Sequence, residues 1–287
     1  MSAPLAGRKA AISGASQGLG AVLAAAFLEA GADVLLGARD LAKLESAAGA
    51  LRQAHGPDRV LVQRLDVADD ASAQAFIGRA RADWGGLDVL VNNAGVHGPI
   101  GALEGAPWGP WVEAVQINLL GTVSLCRHAL PLLRQSPAGR ILNLSGGGAT
   151  APMPFRSAYA ASKAAVVRFT ETLAEELKGT RITANAIAPG AMNTRLLDEV
   201  LTAGPAQAGE AYYQQALKQK DQGGSPPEKA AALCVALAGP LGDGVSGKLI
   251  SAVWDPWADF AELKPRFAGN DIYTLRRIVP KDRGQDF

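Results

Sequence analysis

The sequence near the N-terminus reads Ile12-Ser-Gly-Ala-Ser-Gln-Gly-Leu-Gly-Ala21, with glycines at positions 14, 18 and 20. This run separates an apolar segment that predicts a strand from an alanine-rich segment that predicts a helix. Because glycine has no side chain, a phosphate can approach the backbone closely, and the N-terminus of the following helix attracts its negative charge. The spacing differs from the Gly-x-Gly-x-x-Gly pattern, so a flexible loop is the alternative interpretation. The turn therefore predicts a pyrophosphate site at the first strand-to-helix connection of an α/β fold.

The rest of the chain alternates short apolar segments with longer alanine-rich segments of helical period, which predicts βαβ units around a parallel sheet. Strands are predicted at Lys9–Ser13, Asp33–Gly37, Val60–Arg64, Val89–Asn92, Arg140–Leu144, Ile182–Ala188 and Lys248–Ser251. Helices are predicted at Leu19–Ala30, Ala42–His55, Ala71–Trp84, Trp111–Leu133, Ser157–Lys178 and Pro227–Leu237. The pattern predicts an α/β doubly wound fold in one domain over residues 1–287, with its core in residues 5–254.

Composition narrows the class of protein. The chain has 287 residues, of which 48% are hydrophobic and 19% charged, and this balance is typical of a globular protein. A net charge of +1 offers no general attraction to nucleic acid or to an anionic membrane, so a small molecule is the expected partner. Cys126 and Cys234 lie in apolar sequence without the spacing of a metal site, and no signal peptide is evident. We therefore expect a cytoplasmic protein that binds no metal and does not span a membrane.

A tyrosine and a lysine stand four residues apart in the stretch Ser157-Ala-Tyr-Ala-Ala-Ser-Lys-Ala-Ala-Val166. If this stretch is helical, residues i and i+4 share a face, so the Lys163 ammonium lies beside the Tyr159 phenol. A positive charge within about 4–6 Å favours the phenolate, and it would move the phenol pKa from about 10 toward the range useful for acid–base chemistry on an alcohol or ketone. An unrelated Tyr and Lys on an ordinary helix is the alternative.

Several motifs, in one order along the chain, resemble those of the short-chain dehydrogenase/reductase family. They are Ser13-Gly-Ala-Ser-Gln-Gly-Leu-Gly20, Asn92-Asn-Ala-Gly95, Asn118 in Ile-Asn-Leu, Tyr159 with Lys163, and Pro189-Gly190 followed by Thr194. The resemblance covers residues 7 to about 250. It implies a single-domain Rossmann-type fold and an NAD(P)(H)-dependent oxidoreductase that interconverts a ketone or aldehyde and a secondary alcohol.

The resemblance also assigns roles to individual residues. Tyr159 would exchange a proton with the substrate oxygen, and Lys163 would hold the nicotinamide ribose and depress the phenol pKa. Asn118 would maintain a proton-relay water and the helix geometry, or would only satisfy the backbone of a distorted helix. Asp66 would contact the adenine amine, unless it is an ordinary surface carboxylate. The resemblance assigns Tyr159 and Lys163 to the cofactor as well, together with Gly14, Ser16, Gln17, Gly18, Leu19, Gly20, Val67, Asn92, Ala94, Gly95, Pro189, Gly190 and Thr194.

The choice between the two nicotinamide dinucleotides depends on the end of the second strand, Val34-Leu-Leu-Gly-Ala-Arg-Asp40. A carboxylate there would accept hydrogen bonds from the ribose hydroxyls and repel a 2′-phosphate, whereas an arginine would pair with that phosphate. Ala38 takes the position where a carboxylate is usual, and Arg39 follows it. We therefore expect NADP(H) over NAD(H), although Asp40 and the neutral Gln17 argue the other way.

The chain departs from the family at the catalytic serine. Counting without gaps, the position of that serine falls on Gly146, and Ser145 lies one residue too early. A one-residue offset on a strand turns the side chain to the opposite face, so Ser145 would reach the substrate only if the following glycines form a bulge. Ser145 is retained as a candidate catalytic residue. A water, a backbone amide or Thr150 are the alternatives.

The substrate cannot be identified from the sequence. His97 could contact the substrate, with a satisfied loop histidine as the alternative. Arg156 could bind an acidic group on the substrate, with a solvated loop arginine as the alternative. Residues 191–225 are expected to form a substrate lid with helices at Asn193–Leu201 and Glu210–Lys220, and residues 255–287 an ordered C-terminal extension.

The sequence leaves three hypotheses for the function and one for the oligomeric state. An oxidoreductase is favoured over an epimerase or dehydratase that keeps its cofactor, and over a non-catalytic nucleotide-binding regulatory protein. A homodimer or homotetramer is expected through the predicted helices Trp111–Leu133 and Ser157–Lys178.

Overall fold

The computed structural model describes residues 3–287, which form a seven-stranded parallel sheet of order β3-β2-β1-β4-β5-β6-β7 flanked by helices. The strands are β1 (Lys9–Ser13), β2 (Asp33–Ala38), β3 (Val60–Arg64), β4 (Val89–Asn92), β5 (Gly139–Leu144), β6 (Ile182–Ala188) and β7 (Leu249–Ser251). The helices are α1 (Gly18–Glu29), α2 (Leu41–His55), α3 (Asp70–Trp84), α4 (Trp108–Val115), α5 (Gly121–Leu133), α6 (Ser157–Glu176), α7 (Arg195–Ala208), α8 (Glu210–Gln222), α9 (Pro227–Ala238) and α10 (Phe260–Phe267). The expected α/β doubly wound fold is confirmed.

Helices cover both faces of the sheet, and this explains why the central strands are continuously apolar. On one face, Phe27 of α1 and Leu237 of α9 pack in one core cluster with Ile12 of β1. On the other face, Phe76 of α3 and Leu132 of α5 pack in a second cluster. Fully burying a side chain of this size stabilises the fold by about 1.5–3 kcal/mol relative to exposure.

The strand order reverses at β1, which pairs with β2 on one side and with β4 on the other. Chains that leave the carboxyl ends of β1 and β4 therefore turn to opposite faces of the sheet and leave a crevice between them. Ligands of open α/β sheets bind at this switch point. The glycine-rich turn follows β1, and the Asn92–Gly95 segment begins at the end of β4, so both segments border the crevice.

One predicted helix is not continuous. The expected helix Trp111–Leu133 begins earlier, at Trp108, and is divided into α4 and α5 by a π-helical turn at Gln116–Leu120. Such turns insert an extra residue into the hydrogen-bond ladder and often occur at functional sites. Periodicity alone could not reveal it, because the apolar face continues on both sides of the turn.

The segments after β6 and β7 extend the fold beyond its sheet. Helices α7 and α8 occupy the stretch expected to be a lid, and α7 runs on past Leu201 across a kink at Gly204. The C-terminal extension packs on the body of the chain. Phe260 and Phe267 join the core beside α9, and Lys248 Nζ donates hydrogen bonds of 2.7 and 3.0 Å to backbone carbonyls of residues 270 and 272.

Among the described residues, no helix is both long and apolar enough to cross a membrane. Cys126 and Cys234 are free thiols in the protein interior. Burial raises the pKa of both thiols to about 12, so both are protonated and unreactive at neutral pH.

Candidate active site

A cavity of about 1270 Å³ opens at the carboxyl ends of the central strands. The turns after β1, β2, β4, β5 and β6 line it, together with α7, α8 and the C-terminal extension. Every residue proposed from the sequence for catalysis or cofactor binding borders this cavity, except Asn92 and Asn118. The structure therefore brings motifs from distant parts of the chain to one site.

The glycine-rich turn forms a backbone cradle at one end of the cavity. Gly14 has a φ of +67°, and a Cβ built there would lie 2.8 Å from the Ala94 Cα. A Cβ on Gly20 would lie 2.1 Å from the Gly14 carbonyl oxygen, so neither position accepts a side chain. Gln17 precedes α1 without a side-chain capping hydrogen bond, which leaves the first N–H groups of the helix available to an anion. These features fit the pyrophosphate of a dinucleotide.

The role expected of Asn92 is corrected. Its side chain is buried, and its Nδ2 donates a 2.8 Å hydrogen bond to Asn143 Oδ1, which ties β4 to β5 inside the core. The neighbouring Asn93 borders the cavity instead, and its Nδ2 donates to the carbonyls of Ser13 and Gly14 at 3.0 and 3.1 Å. Asn93 thus braces the glycine cradle. Successive strand residues point to opposite faces, and this alternation separates the two asparagines.

The other end of the cavity carries two basic side chains. Arg39 and Lys43 both reach it, and β2 ends on the small side chain of Ala38. Asp40, the nearest carboxylate in sequence, caps α2 by accepting a 3.0 Å hydrogen bond from the Lys43 backbone. Lys43 is a second basic residue at this end that the sequence motifs did not identify. Asp66 also borders the cavity, and its Oδ1 accepts from the Ala68 backbone at 3.1 Å.

Tyr159 and Lys163 lie on one face of α6, as their spacing predicts. The pKa of the Tyr159 phenol, however, is not lowered as expected. Lys163 is buried and donates a 2.7 Å hydrogen bond to the Leu144 carbonyl, and its Nζ lies 5.9 Å from the centre of the Tyr159 ring. Burial lowers the pKa of Lys163 to about 8. Burial, followed by the nearby Tyr212 phenol, raises the pKa of Tyr159 to about 12, and Arg156 is the cation that opposes this shift. With this pKa the phenol is protonated at neutral pH, and the expected depression of its pKa by Lys163 is not observed.

Asn118 lies in the π-helical turn and holds a loop rather than bordering the cavity. Its Oδ1 accepts from the Val96 backbone N–H, and its Nδ2 donates to the Val96 carbonyl and to Ser162 Oγ, all at 2.9 Å. Its own carbonyl accepts from Thr122 Oγ1. The side chain therefore joins the loop after β4 to α6, close to Lys163, and satisfies the distorted helix.

The Ser145 hydroxyl does not contact the Tyr159 phenol through a hydrogen bond. It is buried and donates a 3.2 Å hydrogen bond to the Lys163 carbonyl, and no hydrogen bond joins it to Tyr159. No bulge brings it into the position of the family serine, because the Ser145 N–H keeps its ladder bond to Ile187. At Gly146, by contrast, a Cβ would lie 2.4 Å from Tyr159 Oη. The catalytic role expected of Ser145 is thus not supported by its contacts. Thr150 does border the cavity.

Around the phenol, two further polar side chains are buried. The His97 ring packs edge-on against the Tyr159 ring at 4.9 Å and borders the cavity. Arg156 is only 2% exposed and stacks on the Tyr212 ring of α8, with 3.3 Å from its Cζ to the ring centre. The interpretation of Arg156 as a solvated loop arginine is therefore wrong.

Comparison with known proteins agrees with this geometry. The model of the short chain dehydrogenase family matches residues 8–203. The chain belongs to this family. It is 32% identical over 257 residues to the D-beta-hydroxybutyrate dehydrogenase of Cupriavidus necator, an alignment covering 87% of this chain and 96% of the relative.

Solved structures of this family share the fold. The RhlG/NADP active-site complex of Pseudomonas aeruginosa superposes with a TM-score of 0.76 at 32% identity, over 87% of this chain and 96% of that one. L-sorbose reductase from Gluconobacter frateurii, complexed with NADPH and L-sorbose, has a TM-score of 0.77 at 28% identity, over 88% and 97%. This short-chain dehydrogenase is accordingly an NAD(P)-dependent oxidoreductase of alcohols and ketones, and neither the epimerase or dehydratase hypothesis nor the regulatory one is favoured.

The short-chain dehydrogenase also lines its cavity with residues that follow the last strand. Trp254, Asp255, Tyr273 and Thr274 all reach the cavity. The Tyr273 carbonyl accepts a 2.8 Å hydrogen bond from the Leu249 N–H of β7, which holds the extension against the edge of the sheet. Tyr273 has a φ of 63°, a conformation that is uncommon outside glycine and that recurs at binding sites. No motif in the sequence identified this wall, because it depends on the chain folding back.

Proposed function

We propose that this short-chain dehydrogenase uses NADP(H) and interconverts a ketone and a secondary alcohol, with Tyr159 as the general acid and base. The proposal rests chiefly on one observation: the Tyr159 phenol, the glycine cradle and the Arg39 side chain border a single cavity. The chemistry supplied by a bound nicotinamide dinucleotide is hydride transfer. The protein has to orient the substrate carbon toward that ring and move one proton at the substrate oxygen.

The proton transfer is assigned to the Tyr159 hydroxyl. In the reduction direction the phenol, which its raised pKa keeps protonated at neutral pH, donates to the oxygen that becomes the alcohol. Lys163, fixed by its hydrogen bond to the Leu144 carbonyl, would hold the nicotinamide ribose and retain a donor near the phenol. Asn118 holds the loop after β4 against the first turns of α6 through its hydrogen bonds to Val96 and Ser162. We assign it a positioning role.

The proposed preference for NADP(H) rests on the basic side chains near the end of β2. Arg39 and Lys43 can pair with a 2′-phosphate, and Ala38 leaves no carboxylate at the end of β2 to repel it. The RhlG and L-sorbose reductase structures were solved with NADP and NADPH, which is compatible with this preference.

Equilibrium binding tests this choice. Titration calorimetry should give a Kd for NADP⁺ at least about ten-fold below that for NAD⁺. Because a hydrogen bond to a charged group contributes about 1.5–3 kcal/mol, Arg39→Ala should weaken NADP⁺ binding by about 10–100-fold while changing NAD⁺ binding less than about three-fold. Arg79→Ala on α3, whose side chain pairs with Asp83, is the control and should change neither. Equal affinity of the wild-type protein for both dinucleotides, or an equal loss of both in Arg39→Ala, would contradict the assignment.

Assembly and location are further proposals. We propose a homodimer or homotetramer formed through α4, α5 and α6, which light scattering after size exclusion would test. A cytoplasmic location remains a prediction, which fractionation of the source cells would test.

A further inference from the structure

Arg156 is a buried cation without a counter-ion. Its side chain forms no ion pair with any carboxylate among the described residues. Its polar contacts are a long one of 3.4 Å from Nε to the Pro154 carbonyl and one with the Tyr212 phenol. The Nη1 group is sealed from solvent and has no hydrogen-bond partner. An unpaired buried charge is costly, and such groups in proteins are normally paired. The unmet donor of Arg156 therefore calls for an anionic acceptor.

Two of the buried polar atoms without a partner flank the phenol. One is Arg156 Nη1, one helical turn before Tyr159, and the other is His97 Nδ1, whose ring packs against the Tyr159 ring. The charge of Arg156 acts on both neighbours, since it lowers the pKa of His97 and that of Tyr159. Two groups with unmet hydrogen-bonding capacity therefore lie beside the phenol that is proposed to act on the substrate oxygen.

The charges around His97 are predominantly positive. Burial, followed by the charges of Arg156, Arg195 and Lys163, lowers the pKa of His97 to about 4, so the ring is neutral at pH 7. Glu199 Oε2 lies 3.6 Å from His97 Nδ1, but a neutral ring forms no ion pair, and the other oxygen of that carboxylate already pairs with Arg195. Arg156 is left without a carboxylate partner.

Tyr212 separates Arg156 from the cavity. Its ring borders the cavity and covers the face of the guanidinium, a cation–π contact that partly offsets the buried charge. The stacking contact involves only the face of the guanidinium. It does not occupy the N–H groups at the edge, which are the groups that bind carboxylates. Tyr212 belongs to α8, which is bounded by Gly209 and Gly223, both at positive φ, so this ring lies on an element with glycine at both ends.

We propose that Arg156, together with His97, forms a subsite for a carboxylate on the substrate, so that the alcohol or ketone is a hydroxy acid or oxo acid. This inference rests on the proposed function, because it places the acid group beside Tyr159. The Nη1 edge of Arg156 donates to the carboxylate, neutral His97 adds a hydrogen bond from the cavity side, and the Tyr212 ring turns aside to admit the acid. A planar monoanion matches the single uncompensated guanidinium. The carboxylate takes no part in hydride or proton transfer and serves to orient the reacting carbon.

Matched substrates test the subsite. Short-chain 3-hydroxy acids and their methyl esters are assayed with NADP⁺, and the ratio of kcat/KM for acid over ester is measured. The wild-type ratio should be about 10–100, the range expected for a charge-assisted hydrogen bond. Arg156→Gln should lower kcat/KM for the acids by about the same factor and change that of the esters less than about three-fold. Arg79→Gln removes an equal charge from an arginine that pairs with Asp83 on α3 and does not border the cavity, and it should leave the ratio unchanged.

The outcomes separate this inference from the proposed function. Turnover of the esters with no preference for the acids, or an equal loss for both substrates in Arg156→Gln, overturns the subsite and leaves the oxidoreductase assignment standing. If no alcohol or ketone is turned over, the proposed function fails, and calorimetry decides the subsite on its own. Butanoate should then bind the protein with NADP⁺ present at least about ten-fold tighter than butanamide. Equal binding of the two overturns the proposal, and this measurement also serves if Arg156→Gln does not fold.

Discussion

Restoring the family serine should impair this enzyme. Gly146 occupies the position where short-chain dehydrogenases carry that serine, and its backbone is extended, with φ of −174° and ψ of 175°, so its conformation does not require glycine. The constraint is steric. A Cβ at this position would lie 2.4 Å from Tyr159 Oη and 3.2 Å from its Cζ. We therefore predict that both Gly146→Ala and Gly146→Ser displace the phenol.

The displacement can be estimated from the contact distances. Ordinary contacts of a Cβ begin at 3.4 Å, so the phenol oxygen must retreat by about 1 Å from its present 2.4 Å. A misplacement of about 1 Å in a reacting group can lower the rate by about 100-fold, so kcat should fall by about that factor in both variants. Overpacking should also lower the free energy of unfolding by about 1–3 kcal/mol. Cofactor binding should be unchanged, because the glycine cradle lies on a different loop.

Steady-state ketone reduction, NADP⁺ calorimetry and urea unfolding measure the three effects. Gly147→Ala is the matched control, since the nearest atom to its added Cβ is Met153 Cε at 3.8 Å. That variant should keep kcat within about three-fold of wild type, because the added methyl group meets only ordinary contacts. A Gly146→Ser enzyme as active as wild type, or more active, would refute the reasoning. It would mean that the phenol has room to move and that the missing serine is a catalytic loss.

Three other changes test separate parts of the structure. Tyr159→Phe should lower kcat by about 10²–10⁴-fold in either direction, with the Kd for NADP⁺ unchanged, and a smaller loss would exclude Tyr159 as the acid–base group. Ser145→Ala should change kcat less than about three-fold and cost about 1 kcal/mol in urea unfolding, because its hydroxyl bonds only to the Lys163 carbonyl. Phe260→Ala should cost about 3–5 kcal/mol of unfolding free energy, and wild-type stability in that variant would show that the extension does not belong to the core.

The strands were predictable because they lie in a parallel sheet that helices cover on both faces. β1, β3, β4 and β6 have the bounds expected from the sequence, and the other three differ by one residue at one end. A parallel sheet covered on both faces requires continuous apolar runs, and such runs are visible without knowledge of any partner. The helix Trp111–Leu133 was predicted less well for the opposite reason. Its π-helical turn is held by Asn118, which bonds to Val96 in a different loop.

Within the site, the motifs identified the segments better than the individual side chains. The Asn92–Gly95 motif borders the crevice as expected, but its two asparagines differ, because Asn93 bonds to the cradle whereas Asn92 bonds to Asn143 in the core. The burial of Arg156 depends on Tyr212, which arrives from α8 much later in the chain. Contacts between segments distant in sequence leave no local pattern, so charge and spacing alone suggested a solvated arginine.

The pKa values of Tyr159 and Lys163 could not be predicted from their spacing either. Spacing predicted that the two side chains share a face, but the charge of either group depends on burial as much as on distance. In this site burial opposes ionisation of both, because a phenolate and an ammonium each lose solvation in the protein interior. Arg156, which the spacing rule does not consider, provides the opposing positive charge on the phenol. A substrate carboxylate that neutralised Arg156 would remove that influence and would favour the protonated phenol further. The same residue would then orient a hydroxy or oxo acid while the Tyr159 phenol stays protonated, which is the state that reduction requires.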